Sequence, residues 1–130
     1  MTPVEFRRHL HRHPELSFRE TESARFIAEA LREAGIPCRP IAGTGVLAKI
    51  EGRGDLRRAV VLRADIDALP IREQSGAAWS SENDGVMHAC GHDIHAAVLY
   101  GTLLRLSAER NFEGTLFGIF QPGEESNPGG

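Results

Sequence analysis

The chain has 130 residues, a formal net charge of -3, 41% hydrophobic residues and 25% charged residues, which is the balance of one globular domain large enough to bury a core. Its 15 basic residues are scattered and only 6% of residues are aromatic, so no nucleic-acid partner is indicated. No apolar run reaches the length of a membrane span, and the first residues lack the apolar segment of a signal peptide, so we expect a cytoplasmic protein without a membrane partner.

A helix is predicted at the start of the chain. Thr2 and Glu5 fit a capping box, with a proline at the first helical position. The helix should end near His13, because a proline follows and disfavours helical backbone in the residue before it. Histidines at positions 9, 11 and 13 look like a metal tract, but only the first and last would share a helix face. We therefore interpret them as structural residues.

A second helix and two strands should follow. Ser17 and Glu20 fit another capping box, ahead of an amphipathic stretch that Gly35 ends. A short strand is predicted at 38–41 and a half-exposed strand at 46–51, joined by a glycine-containing turn. These elements are expected to build the core rather than a cofactor site.

Two carboxylates leave the next predicted strand together. Residues 59–62 form a continuous apolar run, typical of a strand covered on both faces. Asp65 and Asp67 follow, and would point to the same side if the strand continued. Ligands gather beyond the carboxyl ends of strands in open α/β sheets, so both are candidate site residues and Asp67 is the better candidate for a catalytic role. The alternative is a turn or cap ahead of Pro70.

Residues 86–95 contain three histidines, a cysteine and an aspartate among small or apolar residues. Cys90 and His92 are two apart, a spacing that can converge in a loop but not on one helix face. Thiolate and imidazole suit zinc and similar ions, so the pair predicts a metal site. Asp93 is a good N-cap for a helix to about Glu109, which is apolar almost all round and should be buried against the sheet.

Alternatives to metal binding exist for this stretch. Cys38 and Cys90 make no disulfide framework in a chain of this length, which favours a reducing compartment. Cys90 as a nucleophile with His92 or His95 as its base is one alternative. His88 and His95 are expected either to hydrogen-bond the metal ligands or to line a substrate pocket, with an ordinary structural role as the alternative.

The last predicted strand, 115–120, is apolar enough to be central, and it delivers Glu124 and Glu125 at its end. Adjacent carboxylates usually mark a solvated loop, but α/β enzymes place catalytic groups at this position, so we favour a functional role for both. The order of elements predicts an α/β fold, with a layered, mostly parallel sheet flanked by helices.

Four ordered motifs now point to a family. They are HRHPELSFRE at 11–20, RADIDALPI at 63–71, VMHACGHDIHAA at 86–97 and QPGEE at 121–125. With them the chain resembles, nearly end to end, the N-terminal part of metal-dependent amidohydrolases of the hippurate hydrolase, aminoacylase and indole-acetyl-amino-acid hydrolase type. The resemblance implies two divalent metal ions, Zn or Mn, per full-length subunit. Cys90, His92 and Glu125 would be metal ligands, and Glu124 the general base.

One departure from related enzymes is informative. The aminopeptidase and carboxypeptidase branch has a ligand histidine where this chain has Asp65. The difference points to the amidohydrolase branch and argues against a metal role for Asp65.

The resemblance also implies that residues 1–130 are the N-terminal portion of a zinc-exopeptidase-like catalytic domain. The remainder of that domain, further ligands and a small dimerisation domain would then be missing, and the parent enzyme would be a homo-oligomer. The expected function is hydrolysis of the amide bond of N-acyl amino acids or related small amides, with the fragment itself inactive. Alternatives are a small non-catalytic metal-binding or interaction domain, and a metal-dependent carboxypeptidase acting on short peptides.

Overall fold

A computed structural model describes all 130 residues, which form three helices and four strands. In chain order these are α1 (Pro3–Arg12), α2 (Thr21–Glu33), β1 (Cys38–Ile41), β2 (Gly45–Glu51), β3 (Ala59–Asp65), α3 (His92–Glu109) and β4 (Thr115–Gln121). None of the helices combines the length and the apolar character that crossing a bilayer requires.

The four strands form one sheet in the order β1-β2-β4-β3. The predicted α/β fold, a sheet flanked by helices, is confirmed. Within these residues the sheet is mixed rather than mostly parallel, since β2 runs antiparallel to both β1 and β4. A tight turn between β1 and β2 allows only an antiparallel pair, whereas β3 and β4 are connected through α3 and pair in parallel.

Of the three helix N-caps predicted from the sequence, only the first is confirmed. At α1 the capping box is present, because the Thr2 hydroxyl accepts from Glu5 N and the Glu5 carboxylate accepts from Thr2 N. The second capping box is wrong, since Glu20 is the N-cap of α2 and its side chain makes no cap hydrogen bond. Asp93 is not the N-cap of α3 either. That position is held by Gly91 with φ of 90°.

The core lies between the sheet and the three helices. Phe6 of α1 stacks on Tyr100 of α3 with ring centroids 4.3 Å apart, and both are buried with Phe120 of β4. A Cβ atom added at Gly118 would lie 2.8 Å from Leu103 Cδ1. Helix α3 therefore packs directly against β4, and this close approach fixes where its first residue lies relative to the end of that strand.

Two predictions about burial fail within this chain. Strand β3 is an edge strand here, and Val60 and Val61 are 61% and 54% exposed, so it is not covered on both faces. Helix α3 buries one face but leaves Ile94 and Val98 exposed. The apolar residues lie in β3 and α3 as predicted, but no other helix or strand of this chain covers these exposed side chains. By contrast β4 pairs with β2 and β3, which confirms it as a central strand.

Candidate metal centre

The site is built where the two parallel strands end. Asp65 of β3 pairs in register with Gln121 of β4, so the residues after each strand emerge at the same edge of the sheet. Asp67 follows β3, and Glu124 and Glu125 follow β4. Helix α3 begins beside them with His92. This is the edge at which α/β proteins place ligand-binding groups.

His92 lies at the centre of the site and is 5% exposed. Its Nδ1 lies 3.0 Å from the carbonyl oxygen of Asp67 and 3.1 Å from Asp67 Oδ1. Two acceptors at Nδ1 favour the tautomer in which that nitrogen carries the proton and donates. The other ring nitrogen, Nε2, then presents a lone pair to the site, as metal-binding histidines commonly do when a carboxylate or carbonyl orients them.

Carboxylate oxygens surround the lone pair of His92. Oxygens of Asp65, Glu124 and Glu125 each lie 3.6 Å from Nε2, beyond ordinary hydrogen-bond length. Neither glutamate side chain accepts a hydrogen bond from the protein, although Glu125 N donates to Asp67. An imidazole nitrogen with converging carboxylates is a donor arrangement that favours a cation.

Cys90 completes one candidate ligand set. Ligand atoms of Cys90, His92 and Glu125 all lie within 4.8 Å of one another, so the structure brings together the three ligands that the resemblance implies. Burial, with the nearby charges of Glu125 and Asp67, raises the pKa of Cys90 to about 11. The protonated thiol is a poor nucleophile, which argues against a Cys90 nucleophile. A bound cation would instead favour its thiolate.

Asp67 is fully buried and holds several parts of the site together. Besides orienting His92, its Oδ2 accepts from Ser17 Oγ at 2.7 Å and from Glu125 N at 2.9 Å. The carboxylate thus connects the start of α3 to the loop after β4. The structure places this candidate catalytic residue behind His92, where it can act through other groups.

Asp65 has partners of its own. Its Oδ1 accepts from His95 Nδ1 at 2.7 Å, and Arg63 Nη1 lies 3.3 Å from Oδ2. Burial opposes ionisation, but the hydrogen bond from His95 outweighs it, so the pKa of Asp65 is lowered. Asp65, His92 and His95 form a second group with ligand atoms within 4.8 Å of one another. His95 thus borders the site, bound to a carboxylate.

A buried network behind the site was not predicted from the sequence. Asp93 Oδ2 lies 2.7 Å from both His11 Nδ1 and Arg7 Nε, and His11 Nε2 lies 3.1 Å from Glu73 Oε1. Burial opposes ionisation of Glu73, but hydrogen bonds from Ser75, Ser81 and His11 lower its pKa to about 2. His11 is thus structural, as predicted. A sequence pattern could not pair it with Asp93, 82 residues away.

His88 is buried, and neither ring nitrogen has a hydrogen-bond partner among the protein atoms. Burial, reinforced by the neighbouring His11 and His92, lowers its pKa to about 4, although Asp93 and Asp67 oppose the shift. In this structure the residue neither hydrogen-bonds a candidate ligand nor faces open solvent. It is a neutral ring packed between the site and the His11 network.

A wide surface groove lies away from the candidate ligands. It has a volume of about 800 Å³, runs between α1 and α3 beside Trp79, and contains none of the candidate ligands. The donor chemistry at the end of β4, rather than groove size, therefore locates the candidate site. Its thiol, imidazole and carboxylate fit a zinc-like ion.

Comparison with known proteins agrees with this geometry. Residues 61–130 match the model of peptidase family M20/M25/M40, a span that includes both candidate ligand groups. The chain belongs to this family. A solved M20 relative, described as a dinuclear metal binding peptidase from Bacillus subtilis, is 47% identical over 95% of this chain and 35% of its own, with a TM-score of 0.90. The likeness confirms the fold, and the resemblance to metal-dependent hydrolases is confirmed with it.

Relatives of this M20 chain have named activities. The chain is 47% identical over 128 residues to an N-acetyl-L-cysteine deacetylase of Bacillus subtilis, covering 97% of the chain and 30% of the relative. It is 45% identical over 129 residues to an N-acyl-L-amino acid amidohydrolase of Geobacillus stearothermophilus, covering 98% and 35%. The M20 chain therefore spans about a third of the length of the curated relatives that it matches.

Proposed function

We propose that this chain carries one part of the active site of a metal-dependent amidohydrolase that cleaves the amide bond of N-acyl amino acids. The observation that carries the proposal is the convergence of Cys90, His92 and Glu125, with Glu124 beside them at the same edge of the sheet. The names of the relatives support the substrate class. Residues 1–130 would be the N-terminal portion of the catalytic domain.

The metal ligands in this proposal are Cys90, His92 and Glu125. Three protein ligands suffice for one open catalytic site, so a second divalent ion in the full-length subunit would need ligands from outside these residues. Bound Zn or Mn would supply Lewis acidity, which lowers the pKa of water and polarises a carbonyl group. A dinuclear M20 relative supports the count of two.

Glu124 is the proposed general base. Its carboxylate is 40% exposed and lies 3.6 Å from His92 Nε2, so it borders the candidate ligands yet remains open to a water molecule. In the reaction Glu124 takes a proton from the attacking water at a carboxylate oxygen and passes it to the leaving amine nitrogen.

Asp67 is proposed to act in the reaction as a positioning residue. It holds His92 in the tautomer that leaves Nε2 free, and it fixes the backbone of Glu125. These two adjacent glutamates can therefore take different roles, since Glu125 is held at its backbone with its carboxylate among the ligand atoms, whereas Glu124 is the more exposed carboxylate.

The partner in this proposal is a small N-acyl amino acid. A homo-oligomeric full-length enzyme in the cytoplasm is part of the same proposal, by resemblance to the family. Nucleic acid and membrane are not proposed as partners.

The experiment compares substitutions of Glu124 and Glu125 in the full-length enzyme. Release of free amino acid from N-acetyl-L-cysteine and other N-acyl amino acids is measured together with metal content. Glu124→Gln should keep its metal and lose about 100-fold to 10,000-fold in turnover, the size of a general-base contribution. Glu125→Gln should lose metal and activity together. Glu109→Gln, at the far end of α3, serves as the control and should resemble the native enzyme. Equal metal loss in both site variants would refute the division of roles.

A further inference from the structure

Glu20 is a buried carboxylate that the proposed reaction does not use. It is 0% exposed. One carboxylate oxygen accepts from Gly123 N at 2.8 Å and the other from Thr44 Oγ1 at 2.5 Å. Burying a carboxylate is costly unless donors compensate it, so the contact with Gly123 is a specific feature rather than incidental packing.

The peptide that Glu20 holds leads directly into the candidate site. Gly123 precedes Glu124 in the loop after β4 and has φ of 62°. A Cβ atom added there would lie 2.4 Å from the ring of Phe18. The start of the loop is therefore enclosed by two residues of the segment between α1 and α2, one through packing and one through a charged acceptor.

The other end of the same short loop is held in a similar way. Glu125 N donates to Asp67 Oδ2 at 2.9 Å, and Asp67 also binds His92. Both ends of the Gly123–Glu125 segment are thus bound at backbone N–H groups by fully buried carboxylates. Hydrogen bonds to charged acceptors are stronger than those between neutral groups, so the backbone is fixed while the two glutamate side chains stay free of protein donors.

We propose that Glu20 is a positioning residue for the active site. It anchors Gly123 N, and through that peptide it places the carboxylates of Glu124 and Glu125 beside His92. The significance of this placement rests on the proposed function, but the anchor itself is a property of the fold and can be measured independently.

The experiment replaces Glu20 in the full chain with two residues of similar length. Glu20→Met fills the same space without an acceptor. Glu20→Gln keeps an amide oxygen for Gly123 N and can donate from its amide nitrogen to the Thr44 hydroxyl. Glu29→Gln, on the exposed side of α2, is the control. Two quantities are measured: amide hydrogen exchange in peptides covering 121–125, and affinity for added Co²⁺.

A positioning role predicts a specific pattern. Glu20→Met should speed exchange in 121–125 by about 10-fold or more and weaken Co²⁺ binding by about 10-fold to 100-fold, the usual effect of losing a group that supports metal ligands. Its unfolding midpoint should fall modestly, because the Gly123 N–H and the Thr44 hydroxyl lose their acceptor while burial of an apolar side chain of similar volume offsets part of that cost. Glu20→Gln should stay close to the native chain in both measurements.

Native exchange rates and native Co²⁺ affinity in Glu20→Met would overturn the proposal and leave Glu20 a packing residue. Equal loss in Glu20→Gln and Glu20→Met, accompanied by a lowered unfolding midpoint in both, would overturn it as well. If the native chain binds no Co²⁺, the proposed metal ligands are wrong. The exchange data would still decide whether Glu20 anchors the loop.

Discussion

Replacement of His88 should alter how stability depends on pH, because this histidine is buried in its neutral form. Its pKa is lowered from 6.5 to about 4 in the folded chain. The unfolded chain therefore binds a proton below pH 6.5 that the folded chain binds only below about pH 4. The free energy of unfolding should decrease as pH falls through this window, and the loss is complete below both values.

The size of the effect follows from the shift. A difference of about 2.5 pKa units corresponds to about 3 kcal/mol, at about 1.4 kcal/mol for each unit. This is a large share of the 5–15 kcal/mol that typically stabilises a domain. In His88→Phe a ring of similar size remains but cannot take up a proton, so that this part of the pH dependence should disappear.

Urea unfolding of the native chain and of His88→Phe, with a chelator present, measures the effect at intervals between pH 7.5 and 4. Across that range the native chain should lose about 3 kcal/mol more than the variant. His88→Gln, which has a different shape but also cannot ionise, is the control and should show the same reduced slope. If His88→Phe keeps the native slope, the buried neutral histidine is not the cause and the argument fails.

Other predictions follow from the same structure. Cys90→Ala should lower the content of bound metal in the full-length enzyme, whereas Cys38→Ala, which lies outside both candidate ligand groups, should leave it unchanged; elemental analysis decides between them. Glu73→Gln should reduce the loss of stability between about pH 4.5 and pH 2, because the lowered pKa of Glu73 stabilises the fold above that window and the stabilisation is lost as pH falls through it; acid unfolding curves would show no difference if this is wrong. The isolated 130-residue chain should lack amidohydrolase activity and associate through the exposed β3 edge. Light scattering should then show less association for Val61→Lys, and an active native monomer would contradict both expectations.

The local part of the site could be predicted from the sequence because it depends on short spacings. Glu124 and Glu125 follow a strand that is apolar enough to be central, and Cys90 and His92 sit at a loop that enters a helix. Each prediction needs only the residues on either side and the rule that parallel strands end at the same edge. The structure brings these four side chains together.

The supporting groups could not be predicted, because their partners are distant in the chain. Ser17 and Glu20 match a capping box, yet their side chains bond Asp67 and Gly123, 50 and 103 residues away. The local pattern pairs both side chains with nearby backbone N–H groups, whereas in the structure Ser17 donates to Asp67 and Glu20 accepts from Gly123. For β3 the apolar run was identified correctly, but its cover depends on which strands neighbour it.

Six carboxylates at or behind the candidate site form two groups, which differ in burial and in hydrogen-bond partners. Those that support the fold are buried and bind donors, namely Glu20, Asp67, Glu73 and Asp93. Glu124 and Glu125 are more exposed and accept no hydrogen bond from the protein, and their oxygens lie 3.6 Å from His92 Nε2. Ionised carboxylates close together repel one another unless a cation or a proton intervenes. Glu20 and Asp67 bind the backbone N–H groups of Gly123 and Glu125, so movement of this loop does little to relieve the repulsion between the two free carboxylates. A metal ion would relieve it, and we therefore expect metal affinity to depend on Glu20 and Asp67 as well as on the proposed ligands.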